Sequence, residues 1–449
     1  MSIIGVGIDL GVTAQHEACI LGPNKTKTFR FYTTVEEVGR LVALAEAMKT
    51  EHNDKIVFIL EPTGRGWITV SRLLMEKGYG VYKANPKKVK DYRNYLNGRR
   101  KTDRLDAKVL AAMGRDHHEF DPVVLPSEDI AALQTLTRER VRLQEMAANE
   151  KKRVKSLCHY LIPGLTGALG SNLYKPQWRV FLRKFINPFE IAKAGRVGLH
   201  ASLAAASCKP SDHEKIAAIY PLAQHACMSL RLGADDLEAL ELTLNSYFDM
   251  MEVFEKKVVE LERLIAIQYA KAHKSRFLET IPGVGKTLAP IILACIGNLE
   301  RFPNLKKLKA YSGLIPAVNQ SGEHSVKGLK ITKQGPNQLK RALYLAADNA
   351  RHWDVEMAQI YFRAMMTKGQ CHTQAVCAVA TRLLGRIYAI LKAGRPYINR
   401  DLSSKHVTRA QANRYIDQHL RVPEHVRSRK RTSKQAKMER LHPSTKEAV

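Results

Sequence analysis

From Leu237 to Ile265 the apolar residues keep one rhythm. Leu237, Leu240, Leu244, Tyr247, Met251, Phe254, Val258, Leu261 and Ile265 follow one another at alternating steps of three and four. Only a long α-helix puts such a series on one face, and so narrow a stripe needs another helix against it. A second helical stretch, about 127–161, keeps the spacing through Leu133, Leu136, Leu143, Ala147, Val154, Leu157 and Leu161, interrupted by Arg140 and Glu150. An antiparallel coiled-coil hairpin or a seam between subunits satisfies the pattern. Between the two, residues 162–233 are rich in Ala, Lys and Pro; their helical pattern is irregular and suggests no role.

Ahead of these helices the period changes. IIGVGIDL (3–10), HEACIL (16–21) and KTFRFY (27–32) read as strands, and VEEVGRLVALAEAMK (35–49) as a helix. KIVFILE (55–61) reads as a buried strand, the stretch after Glu61 as a helix, GYGVYKA (78–84) as a strand and KTDRLDAKVLAAMGR (101–115) as a helix. Three adjacent strands followed by β/α alternation suit an RNase H-like mixed sheet. A doubly wound dinucleotide fold fits less well, since no G-x-G-x-x-G follows the first strand. Residues 276–395 read as a further compact, mostly helical region, and the chain past 396 as a basic extension. The expected division is 1–125, 126–275, 276–395 and 396–449.

Charge narrows the partner. Lys and Arg outnumber Asp and Glu by 72 to 43, a net charge of +29. This disfavours an ordinary metabolic enzyme and favours a polyanion, most simply nucleic acid; a basic membrane-surface protein is the competitor. No apolar run approaches the roughly 18 residues of a membrane span. The seven cysteines are scattered singly, without Cys-x-x-Cys, which fits free thiols in a reducing cytosol. The N-terminus reads as a strand rather than a signal peptide.

Four acids stand out: Asp9 and Glu61 at the ends of two expected strands, and Asp103 and Asp106 three apart on one helical face. Converging carboxylates need cations between them, and Mg²⁺, a hard ion that keeps positions open for phosphate, suits them. Alternatively Asp9 caps a turn, Glu61 pairs with an arginine and the helix acids face solvent; spacing alone leaves both open. In TIPGVGKTLAPIIL (280–293) a phosphate-binding P-loop lacks its first glycine, because residue 280 is Thr. A helix–hairpin–helix turn at Gly283 and Gly285, holding a nucleic-acid phosphate through backbone N–H groups, or a plain helix connection, accounts for it. In 311–347, Ser321-Gly322 is followed by Lys327, Lys330, Lys333, Lys340 and Arg341. A serine among cations can attack a phosphodiester; it can equally be a turn. Arg99, Arg100 and Lys101 crown the basic stretch 83–104 as further candidate nucleic-acid contacts. Zinc-ligand spacing and a Gly-x-Ser-x-Gly elbow are absent.

Taken in order, GIDLG around Asp9, LEPTG around Glu61, RKTDRLDAKVLA, IPGVG, LKAYSGLIP, QSG and ITKQGPNQLKRAL resemble the DEDD transposases of bacterial insertion sequences, the bridge-RNA-guided serine recombinases. The resemblance implies a RuvC-like N-terminal domain with Asp9, Glu61, Asp103 and Asp106 as Mg²⁺ ligands, a coiled-coil middle, and a mostly α-helical C-terminal transposase domain supplying Ser321 as nucleophile. It further implies a composite site between subunits of a dimer-to-tetramer assembly, a covalent 5′-phosphoserine link, donor and target DNA as substrates, and a guide RNA that chooses them. The setting it implies is the bacterial cytoplasm, with no membrane partner. A resolvase-like metal-dependent nuclease and a non-catalytic nucleic-acid scaffold are the other function classes.

Overall fold

The computed structural model describes residues 2–429 except 52, 63, 98–101, 117–119, 206–209, 316–319, 322–323, 326–330 and 333–334. It divides into two compact units, Met1–Pro126 and Ser127–Val449.

The first unit is a mixed sheet of β1 (Ile3–Asp9), β2 (His16–Leu21), β3 (Thr26–Phe31), β4 (Lys55–Leu60), β5 (Val81–Lys83) and β6 (Asp121–Pro122), with α1 (Val35–Glu46), α2 (Gly66–Glu76), α3 (Pro86–Asn97) and α4 (Asp103–Asp116). Strand order is β3-β2-β1-β4-β5-β6; β1, β4 and β5 run parallel and the other pairings are antiparallel. The expected strands and helices recur with shifted ends, while α3 lies in the basic stretch and was not anticipated as a helix.

Strand β1 alternates strictly. Ile4, Val6 and Ile8 bury into the core shared with Val38, Leu41, Val70 and Leu74 of α1 and α2. Gly5 and Gly7 face the other way, against α4, where a Cβ would stand 2.0 and 2.1 Å from the carbonyl oxygens of Ala111 and Ala107. Glycine on this face and alanine on the helix let α4 lie directly on the strand. Gly7 meets Ala107 and Gly5 meets Ala111, so α4 runs antiparallel to β1 and its N-terminal turn overlies the strand's carboxyl end.

In the second unit, α5 (Glu128–Leu161) is followed by α6 (Leu165–Leu169), α7 (Pro176–Phe185), α8 (Pro188–Ala205, kinked at Gly195), α9 (Pro210–His213), α10 (Ile216–Ser229) and α11 (Ala234–Ala272). Gln268 donates to Asp129, Arg140 to Glu262 at 2.9 Å, and Lys151 pairs with Glu255, so α5 and α11 lie antiparallel. The heptad seam is used inside this chain: Leu244, Met251, Phe254 and Ile265 are buried. Arg140, which interrupts the α5 pattern, is the buried end of the pair to Glu262. The irregular 162–233 stretch has a core of its own, in which Trp178, Phe181 and Leu182 pack with Val154, Leu244 and Phe248.

At the other end of the long pair, α12 (Leu288–Ile296), α13 (Leu305–Ser312), α14 (Asn337–Ala350), α15 (Val355–Phe362) and α16 (His372–Ala393) close a core with Ile130, Leu133, Ile265 and Tyr269. Helix α16 is long and apolar enough to cross a membrane by length and composition, although Arg382 and Arg386 interrupt its apolar run. Its Val376, Val379, Leu383, Leu384 and Ile387 are buried in this core. Part of the expected basic extension is built in as well. Asn399 donates to the Trp353 carbonyl at 2.8 Å, Asn413 to the His352 carbonyl at 3.1 Å, and Arg409 stacks 4.1 Å over the Trp353 ring.

Candidate functional site

The acids on the sheet share a face by period-2 alternation. Asp9 follows Gly5 and Gly7 on the α4 side of β1. Strand β4 runs parallel to β1 with Ile8 opposite Leu60, so Glu61, the next residue, comes beside Asp9. This is the carboxyl edge of parallel strands, where open α/β sheets bind ligands. Helix α4 brings the other two: Thr102 accepts from the Leu105 N–H at 3.2 Å to start the helix, and Asp103 and Asp106 occupy its first turn. There the unpaired N–H groups favour anions.

Asp9, Glu61, Asp103 and Asp106 all line one cleft of about 540 Å³. Sequence reasoning missed three further side chains in or beside it. Glu17, buried, is the register partner of Asp9 and lines the cleft; its carboxylate accepts from Arg30 at 2.7 Å. Arg93, from α3, donates to both oxygens of Asp106 at 2.7 and 3.0 Å. The alternation of HEACIL places Glu17 on the Asp9 face, a legible signal. No sequence signal singles out Arg93 among its basic neighbours.

An all-carboxylate donor set suits a hard divalent cation such as Mg²⁺. Yet among the described residues no three His, Cys, Asp or Glu side chains stand close enough to hold an ion. The acids share a cleft without converging, and Asp106 is engaged by Arg93.

Ser321 lies in the second unit, on the two-residue strand Gln320–Ser321, antiparallel to His324–Ser325 with His324 as its register partner; its side chain is outside the described atoms. Arg99, Arg100, Lys101, Lys327, Lys330 and Lys333 lie outside the described residues. Lys340 and Arg341 lie on α14, where Arg341 forms an exposed pair with Glu145 at 3.5 Å. Gly283 has φ +84°, and a Cβ there would stand 2.1 Å from the Ala346 carbonyl oxygen; Gly285 has open space. Gly283 thus seats the turn on α14, while Gly285 lines a cleft of about 390 Å³, bounded also by residues 397–399 and 406–409.

Residues 6–163 match a family model of DEDD transposases described as "Transposase", and residues 275–362 match one described as "Transposase IS116/IS110/IS902 family". The chain is 26% identical to the insertion element IS110 43.6 kDa protein of Streptomyces coelicolor, over 88% of this chain and 95% of that protein. It is 22% identical to the insertion element IS116 44.8 kDa protein of Streptomyces clavuligerus, over 87% and 95%. It is 30% identical to the pilin gene-inverting protein of Moraxella bovis, over 42% of this chain and 61% of that protein.

Proposed function

The chain belongs to the IS110/IS116 family of transposases, and from that premise we propose that it exchanges DNA strands through a covalent phosphoserine, in a Mg²⁺-dependent reaction guided by RNA. The single observation that carries this reading is the cleft at the carboxyl edge of β1 and β4, which acids from two strands and a helix line together. Strand order β3-β2-β1-β4-β5 supports a RuvC-like domain.

Asp9, Glu61, Asp103 and Asp106 would hold the cation, which when bound supplies Lewis-acid stabilisation of a phosphodiester. The Ser321 hydroxyl attacks phosphorus. The Ser Oγ–P bond forms, the P–O3′ bond breaks, and a 3′-hydroxyl leaves with a proton while the 5′-phosphate stays on serine. A 3′-hydroxyl of the partner DNA then attacks the phosphoserine, restoring the diester and the free serine. One ester replaces another at each step, so rejoining needs no nucleotide cofactor. The similarity to a protein named for inverting a gene supports rejoining over cutting alone.

The net charge of +29 suits a protein that holds RNA and DNA together while base pairing reads the sequence. The composite site calls for more than one copy. With the heptad seam used within the chain, a second stripe on α11 is the surface we assign to subunit pairing: Met250, Val253, Leu264 and Ile267, all exposed, with Lys257 and Glu260 between them. The test is a joining reaction with donor DNA, target DNA and RNA transcribed from the sequence flanking the gene. Wild type should yield joined product and, on denaturation, protein linked to DNA. Ser321→Ala should yield neither; cleavage that persists in that variant would instead indicate a nuclease using water.

A further inference from the structure

We infer that Arg93 is a working residue of the acid cleft: a built-in cation that holds Asp106 until a divalent ion takes its place, and that then turns to a nucleic-acid phosphate. This rests on the metal reading above and adds a residue to it. Arg93 lies on α3, the helix not foreseen from sequence, and its guanidinium bonds both carboxylate oxygens of Asp106. The two side chains are 15% and 11% exposed, so water screens the pair weakly. Arg93 lines the same cleft as Asp9, Glu61 and Asp103.

Two consequences follow from charge and geometry. A cation bound through Asp106 would meet a guanidinium a few ångströms away, and like charges at that range in a shielded cleft repel strongly. Mg²⁺ demands near-octahedral oxygen ligands, and the guanidinium bonded to both oxygens of Asp106 occupies part of the space and lone pairs that such a ligand must offer. Ion and guanidinium therefore compete for one carboxylate. The loser is not idle, because a planar guanidinium freed at the rim of an acid cleft is well shaped to hold a phosphate. Nucleic acid, by offering Arg93 that phosphate, would help the ion in, and by linkage the ion would tighten nucleic-acid binding.

The experiment is a Mn²⁺ titration of the full chain without nucleic acid, read by electron paramagnetic resonance, for wild type, Arg93→Gln, Arg93→Lys, Asp9→Asn and Arg93→Gln combined with Asp106→Asn. Arg93→Gln, relieved of the like-charge repulsion, should bind Mn²⁺ about tenfold more tightly than wild type. Arg93→Lys, which keeps the charge on a shorter and more flexible side chain, should fall between them, and it serves as the test if the Gln variant does not fold. The double variant should lose the gain. Arg93→Gln or Arg93→Lys binding no tighter than wild type, while Asp9→Asn still weakens binding, would overturn the role of Arg93 and leave the metal reading standing. No Mn²⁺ bound by any variant, with or without DNA and RNA, would overturn both.

Discussion

A Cβ on Gly7 would stand 2.1 Å from the carbonyl oxygen of Ala107. No side chain fits there, so the distance between β1 and α4 is set by backbone. That distance brings the first turn of α4, with Asp103 and Asp106, over the end of β1, where Asp9 lies on the same face as Gly7. The glycines of GVGID thus shape the acid cleft without lining it.

Gly7→Ala should therefore push α4 off the sheet. We expect a loss of about 3 kcal/mol or somewhat more, the upper range for overpacked cores, with Mn²⁺ binding lost alongside. Gly39→Ala, inside α1 with only the tip of Lys77 within 4 Å, should instead gain roughly 0.5–1 kcal/mol from helix propensity. Urea denaturation of both variants checks the contrast; equal effects would mean the close approach is not what fixes α4.

Much of this arrangement is legible in sequence because its periods are clean. The Ile/Val–Gly alternation of β1 gives both the strand and the face of Asp9, and Asp103 and Asp106 declare a shared helix face by spacing. The long helices show in their 3/4 steps. What sequence hides is partner choice. Arg140 reads as a break in a stripe until Glu262 is seen across from it. Arg93 reads as one basic residue among many because its partner lies 13 positions on and in another helix. Residues 162–233 show no clean stripe because their short helices surround one core and each contributes only a few buried residues, such as Ile191, Leu199, Ile216 and Ile219.

Replacing Asp9, Glu61 or Asp103 by the matching amide should leave folding intact and abolish joining, a fall of at least about 100-fold if each serves the ion. Chelating divalent ions should do the same to wild type. Gel assays for joined DNA and for the serine adduct check both; joining at the wild-type rate in any of the three would remove that acid from the proposal.

Asp54 supplies a pH signature remote from the cleft. Its carboxylate accepts from the N–H groups of Ser2 at 2.7 Å and of Glu51 and Thr50 at 3.0 Å. These bonds hold its pKa far below the usual carboxylate range. A folded pKa below the unfolded one means stability that is complete above the unfolded value, near 3.9, and fades as pH falls beneath it. Asp54→Asn should be less stable than wild type at pH 6, with the gap narrowing steadily as pH falls from about 4 to 2. A gap that stays constant over that window would contradict the charge-based origin.

Binding to nucleic acid should weaken steeply with salt. A chain of net charge +29 that neutralises six to ten phosphates (an assumed order of magnitude) would lose about 10³–10⁵ in affinity between roughly 50 and 200 mM salt. Gly285→Ala should fold normally, given its open space, and weaken binding if the turn holds a phosphate. A flat salt profile in fluorescence anisotropy would contradict the electrostatic reading.

The exposed stripe on α11 has a symmetry that makes it testable. Met250, Val253, Lys257, Glu260, Leu264 and Ile267 keep steps of three and four, and the order reads the same from either end in chemical type. Two copies of the helix laid antiparallel about the point between Lys257 and Glu260 bring Met250 beside Ile267 of a second copy, Val253 beside Leu264, and Lys257 beside Glu260. Such a contact is isologous, so every substitution counts twice. Val253→Glu should cost about 1.5 kcal/mol per copy, roughly 3 in all, and weaken self-association about 100-fold. Lys257→Glu alone should weaken it by setting carboxylates opposite each other, and adding Glu260→Lys should restore it. Sedimentation velocity across a concentration series reads all three; a Val253→Glu protein that associates as wild type does would show that the copies meet elsewhere.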